Sequence, residues 1–255
     1  NLTYGQQLPL FSQYLYNKFL INPAVAGSDG YTSVSLTARD QWVGYSGAPR
    51  TYSFSWQTRM LKKSFILKTT NIKRQVFRPK SDGKVGFGAY IFSDKNGLIQ
   101  RTGFQAAYSY HTWLANSTQL SFGLAFTGYY YKIDEKQINF EDQNEPWLNN
   151  NLRRGVFVPD MTFGAYLLNA KYSVGFSADQ LSEAAAKIGG PGYKNLSMSR
   201  QYYLFGSYDF SKGTSTIIQP SFLLKMSEQF KPQLDVGATY IYNQGFWAGL
   251  AYRTS

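Results

Sequence analysis

The sequence predicts an all-β chain folded as a transmembrane antiparallel β-barrel. Three observations carry that expectation. A side-chain period of two recurs along nearly all of the 255 residues. Aromatic residues gather near the ends of the alternating segments, as in interfacial girdles. Connections are short at one end of the segments and long at the other, an asymmetry with no purpose in a soluble sandwich. Composition agrees: aromatic residues make up 18%, with 21 Tyr and 19 Phe. No run of about 18 apolar residues exists, which excludes a helical membrane protein and leaves a barrel open.

In chain order, residues 1–30 are read as an N-terminal periplasmic plug or tether, and residues 31–255 as the barrel. In the first unit Asn22 can fold its amide onto the backbone. Pro23 fixes its own φ and keeps Asn22 extended, and Gly27 permits a sharp bend before the first strand. The eleven alternating segments are 31–42, 50–58, 84–92, 102–113, 119–132, 160–169, 171–179, 200–210, 215–226, 232–242 and 246–253. Most exceed the roughly 5–6 residues of soluble strands and match the roughly 9–11 needed to cross a bilayer at a tilt. In 119–132 the apolar set Leu120, Phe122, Leu124 and Phe126 alternates with Ser121, Gly123, Ala125 and Thr127, one lipid face against one small, polar face. Single-chain bacterial barrels have even strand numbers. About 14 strands are therefore expected in the complete protein, with the C-terminal ones missing from this chain. With the N-terminus in the periplasm, the tight connections 114–117, 168–171, 211–214 and 243–245 fall inside. The long ones, 132–159 and 180–199, fall outside, and LSEAAAKIGGPG in the second is expected to form a short helix ended by glycine.

Lys and Arg total 26 against 15 acidic residues, a net charge of +11 that favours an anionic partner. Much of the excess lies in 58–84, which holds Lys73, Arg74 and Arg78 among nine basic residues against Asp82. Two readings stand: a solvated loop meeting lipid headgroups, or a docking surface for an acidic periplasmic partner. A nucleic-acid partner is not expected there. The chain has no cysteine and one histidine, His111, so no metal or cofactor is expected. Ser109 and His111 share the lumen face, but residues i and i+2 stand about 7 Å apart, too far to make a nucleophile and its base. No catalytic residue is assigned.

The stretch FSQYLYNKFLINPAVAGS, followed by QWVGYSGAP, resembles the N-terminal signature of the PorP/SprF family, outer-membrane barrels of the type IX secretion and gliding machinery of Bacteroidota. The resemblance is densest over 11–56 and looser through 83–111. Ser12, Gln13, Asn22, Pro23, Ala24, Gly27, Gln41, Trp42 and Gly44 carry it and are read as structural. The long basic stretch 58–84 departs from the expected short connection.

The resemblance implies a non-enzymatic barrel, integral to an outer membrane of lipid and lipopolysaccharide. It implies contact with the periplasmic ring lipoprotein and its partner, with the C-terminal domain of large secreted surface proteins, or with both. Phe11, Tyr14, Tyr16 and Phe19 either pack in the periplasmic mouth or present a patch to a partner. With Lys73, Arg74 and Arg78 they are the candidate partner-binding residues. A narrow diffusion pore or anion transporter is the alternative, although inward Tyr203, Trp247 and Arg253 would obstruct it.

Overall fold

Period-two alternation becomes antiparallel strands over nearly every segment where it occurs. The computed structural model describes residues 17–42, 44–45, 48–60, 84–97, 99–114, 118–133, 155–182, 185–186, 196–197, 199–212, 216–228, 232–243 and 246–254. The strands are β1 (Ser33–Asp40), β2 (Arg50–Arg59), β3 (Val85–Asn96), β4 (Ile99–Leu114), β5 (Thr118–Ile133), β6 (Val156–Leu168) and β7 (Tyr172–Asp179). A two-residue ladder, β8 (Ala185–Ala186) with β9 (Leu196–Ser197), interrupts the series. It resumes with β10 (Gln201–Tyr208), β11 (Phe210–Lys212), β12 (Thr216–Ser227), β13 (Gln233–Tyr242) and β14 (Phe246–Arg253). Twelve strands form one sheet in the order β1-β2-β3-β4-β5-β6-β7-β10-β12-β13-β14, with β11 beside β12. Among the described residues no helix is long and apolar enough to cross a membrane.

Adjacent residues in the N-terminal segment show that the sheet is rolled. The Asn17 amide donates to Ser55 on β2, and the neighbouring Lys18 ammonium donates to Ser173 on β7 and Ser207 on β10. In a flat sheet β2 and β10 would lie six strand spacings apart, about 29 Å. Two consecutive residues reach both only if the inner faces turn toward each other. Among the described residues β1 pairs with β2 alone and β14 with β13 alone, so no hydrogen-bonded ladder joins the first strand to the last.

The register assigns faces. Across β2 to β5, Phe54, Ile91 and Phe104 stand in one row and Tyr108 and Leu124 in another, all exposed on the outer side. Leu124 is 60% exposed, whereas Ser121, Ala125 and Thr127 on the alternate positions are buried. A lipid-covered wall around a filled interior produces this inversion.

Three local expectations need correction. The strands outrun the segments 84–92 and 102–113: β3 continues to Asn96 and β4 begins at Ile99, which face each other, and Gly97 after Asn96 has φ 58°. Residues 200–210 are broken at Asp209, whose carboxylate accepts from Gln219, and the short β11 follows. In LSEAAAKIGGPG, Ala185–Ala186 pair as a strand with Leu196–Ser197 rather than forming a helix. Pairing gives these residues backbone hydrogen-bond partners across the ladder.

Candidate functional site

Residues 17–30 pass along the inner face of the rolled sheet. They form two short 3-10 turns, Lys18–Leu20 and Pro23–Val25. Asn22 is extended at φ −146°, and its Oδ1 accepts from the Ala24 amide at 2.9 Å, the local fold that Asn-Pro dictates. Its Nδ2 reaches the Ala165 and Phe176 carbonyls at 3.0 and 3.1 Å, so one side chain shapes the turn and ties it to β6 and β7. Gly27 takes φ 69°, and a Cβ there would meet the Thr58 carbonyl oxygen at 2.7 Å. Both the left-handed backbone and the close approach require glycine.

The wall receives this segment with glycines and hydroxyls. A Cβ on Gly86 would strike the Ala26 carbonyl, one on Gly88 the Phe19 ring, one on Gly123 Pro23 and Ala24, and one on Gly164 the Asn22 amide. Phe19, Asn22, Ala24 and Ala26 are fully buried in that notch. The wall's polar groups are directed at the segment's backbone. Ser109 Oγ donates to the Ala26 carbonyl at 2.6 Å, and Ser177 Oγ donates to the Ile21 carbonyl at 2.6 Å. Gln119 Nε2 donates to the Ser28 carbonyl at 3.5 Å, while its Oε1 accepts from the Arg59 guanidinium at 2.8 Å.

His111 sits at the centre of this network. Its Nε2 lies 3.0 Å from the Ala26 carbonyl, which can only accept, so Nε2 carries the proton. Nδ1 then accepts from Ser121 Oγ at 2.7 Å. The Ser109–His111 distance corrects the sequence expectation: the side chains lean together along β4 and their polar atoms stand 3.0 Å apart. Even so, the ring nitrogen facing Ser109 already holds a proton and the serine proton is given to Ala26. The pair therefore grips the segment instead of activating a nucleophile. Among the described residues no cluster of three or more His, Cys, Asp or Glu is placed to hold a metal ion.

Beside the segment one buried apolar cluster joins Phe19 and Ala24 to Tyr90, Phe92, Tyr129, Tyr166, Tyr203 and Phe205. Arg101 lies over the Phe92 and Tyr129 rings, at 5.1 and 5.8 Å from their centroids, and Lys225 over Tyr203 at 5.9 Å. Beside the segment a cavity of about 350 Å³ is lined by Asn17, Lys18, Asp29, Asn169, Asp209 and Ile241. Burial holds the Lys18 ammonium below its ordinary pKa, opposed by the attraction of Asp29 and Asp209. Burial likewise raises the Asp29 carboxyl, opposed by the Ser28 hydrogen bond and by Lys18.

The sequence-selected residues thus divide. Asn22, Pro23, Ala24 and Gly27 come together with Phe19 in the seat. Phe19 is wholly enclosed and, seated this way, offers no surface to a partner. Gln41, Trp42 and Gly44 lie at the opposite end of β1, in the connection to β2, where Trp42 is 78% exposed. The two halves of the motif do not meet. Phe11, Ser12, Gln13, Tyr14 and Tyr16 lie outside the described residues, as do Lys73, Arg74 and Arg78. Sequence reasoning missed the wall's own contribution, Gly86, Gly88, Gly123, Gly164, Gln119 and Ser177. Alternation places Gly123 on the small, polar face, but only the path of the segment shows what these residues receive.

No solved structure matches the chain, and no curated protein does. A family model described as type IX secretion system membrane protein PorP/SprF matches residues 3–255, nearly the whole length. With an all-β sheet that turns its apolar residues outward, the chain belongs to the PorP/SprF family of type IX secretion system membrane proteins.

Proposed function

We propose that this chain is a non-enzymatic, non-conducting barrel of the outer membrane in which residues 1–30 form a plug that enters from the periplasm, and residues 31–255 supply the wall. The periplasmic end is read as a docking face for the secretion apparatus or for the C-terminal domain of a secreted surface protein. The observation that supports this reading is the seated segment: residues 17–30 are bonded to the inner wall, and an aromatic cluster is buried beside them. A barrel packed in this way works through its surfaces. Asn17, Arg59 and Lys84, the described residues that flank the two candidate docking stretches, all lie at the end of the sheet where the segment enters.

Charge attraction accelerates docking more than it tightens it and is screened over about 8 Å at physiological salt. The aromatic residues are therefore assigned the affinity and the basic stretch the encounter. Replacing Phe11, Tyr14 and Tyr16 by Ala should release machinery or cargo in a pull-down from native membranes, with heat-modifiable migration of the barrel retained. Neutralising Lys73, Arg74 and Arg78 should mainly raise salt sensitivity. If both variants keep every partner and still support secretion of surface proteins, the docking face lies elsewhere.

A further inference from the structure

The cavity beside the seated segment, about 350 Å³, falls at the lower end of the roughly 300–1,000 Å³ of small-ligand sites. It lies at the end of the sheet where residues 17–30 enter. Three charged side chains line it: Lys18 and Asp29 from the segment, and Asp209 from the break after β10. One ammonium against two carboxylates leaves a net negative charge here, in a chain whose total is +11. Asp29, Tyr172, Asp209 and Ile241 are half-buried, so a ligand can reach them.

The donors of the lining are already committed. Lys18 donates to Ser173 and Ser207 at 3.0 and 3.5 Å. Gln219 Nε2 donates to Asp209 Oδ1 at 2.7 Å, Asn17 Nδ2 to Ser55 at 2.8 Å, and Asn169 Nδ2 to Thr118 at 2.7 Å. The acceptors are not matched. Among the described residues Asp29 takes only the Ser28 hydroxyl, at 3.3 Å, and Asp209 only the Gln219 amide. Neither carboxylate stands in an ion pair among those residues. Asn17 Oδ1 is buried with no donor. A site with its donors used and its carboxylates under-satisfied favours a cation that brings several N–H groups. Beside these polar groups Leu168, Ile217 and Ile241 supply apolar surface.

We propose that this cavity binds a guanidinium or primary ammonium group carried on an apolar stem, with Asp29 and Asp209 as its charged partners and Leu168, Ile217 and Ile241 against the stem. Such a group is the end of an arginine or lysine side chain in a docked protein segment, or a small free amine. That this end faces the periplasm rests on the orientation proposed above. The chemistry of the cavity does not.

The test titrates the full chain, in mild detergent, with N-acetyl-arginine methylamide and N-acetyl-lysine methylamide, whose only charge is on the side chain. At least one should bind saturably, and the norleucine analogue, which keeps the stem without the charge, should bind about tenfold or more weakly. Asp29→Asn and Asp209→Asn, alone and together, should weaken binding several-fold with heat-modifiable migration retained. Asp40→Asn, exposed at the opposite end of the wall, should leave it unchanged. Ethylguanidine and ethylamine separate the two sources: binding as tight as that of the capped residues supports a small-amine site, and weaker binding supports a side chain delivered on a backbone. Absence of saturable binding by either capped cation would overturn the proposal. So would equal binding of the norleucine analogue, unchanged affinity in the double variant, or tighter binding of capped glutamate, which would mark an anion site at Lys18. None of these outcomes depends on partner capture through Phe11, Tyr14 and Tyr16, so failure here is distinguishable from failure of the docking reading.

Discussion

Ala26 contributes no polar side chain, yet its carbonyl takes two donors, Ser109 Oγ and His111 Nε2, and lies where a Cβ at Gly86 would have to go. Recognition in the seat is largely of this kind: side-chain donors on backbone carbonyls, and glycines where the segment comes close to the wall. Gly123→Val should therefore force the Pro23–Ala24 turn off the wall, since a β-branched side chain has no free volume there. Overpacking of this sort costs about 1–3 kcal/mol. Hydrogen exchange at Val25 and Ala26 should accelerate while the barrel still migrates as folded; unchanged protection would mean that the turn does not rest on Gly123.

Asp29 gives the seat a pH dependence. Burial raises its carboxyl above the ordinary 3.8, so the seated segment binds that proton more strongly than a released one. The cost of ionised Asp29 is then fully present above the raised pKa and disappears as pH falls toward 3.8. Protection of residues 24–26, corrected for intrinsic exchange, should rise on acidification through that window, and Asp29→Asn should flatten the rise. A profile unaltered by Asp29→Asn would assign the titration to another group. At this scale the sequence was legible where the chemistry is local: Asn22 bonding to Ala24 follows from Asn-Pro alone. The Ser109–His111 contact was not, because spacing along a strand says nothing of how two side chains lean.

Strands were the most legible elements, since a period of two fixes which face each residue takes once one face is apolar. The exposure of Tyr108 and Leu124 follows from alternation in 102–113 and 119–132, and the register then sets the two opposite each other. Leu124→Arg should cost about 2–4 kcal/mol in a lipid-based unfolding titration if the position lies near mid-bilayer, whereas the same change at lumen-facing Ala125 acts through crowding. A neutral Leu124→Arg would remove this face from the lipid. What alternation could not reveal is where pairing outlasts apolarity. Ser93, Asp94, Lys95 and Asn96 look like a loop in sequence but remain in register with residues 99–102, because the reversal at Gly97, not the side chains, ends the strand. The helical reading of LSEAAAKIGGPG failed at Ala185–Ala186, where strand pairing with Leu196–Ser197 outweighs alanine's helix propensity.

At the scale of the whole molecule, alternating strands and one-sided connections indicated a barrel, and FSQY, INPAVAGS and QWVG indicated a family. A plug or tether in residues 1–30 was an expectation from the sequence, but the contacts that seat it were not legible, since they join residue 22 to residues beyond 160, a separation that no local pattern encodes. Those contacts carry the central claim that the lumen is occupied and the protein is not a conduit. Single-channel recording on the purified full chain in a planar bilayer tests it most directly. The account predicts no steady current for the native sequence, because residues 17–30 are bonded to the inner wall and the cluster from Tyr90 to Phe205 is buried beside them. A stable, open, anion-selective conductance from the native chain would contradict it.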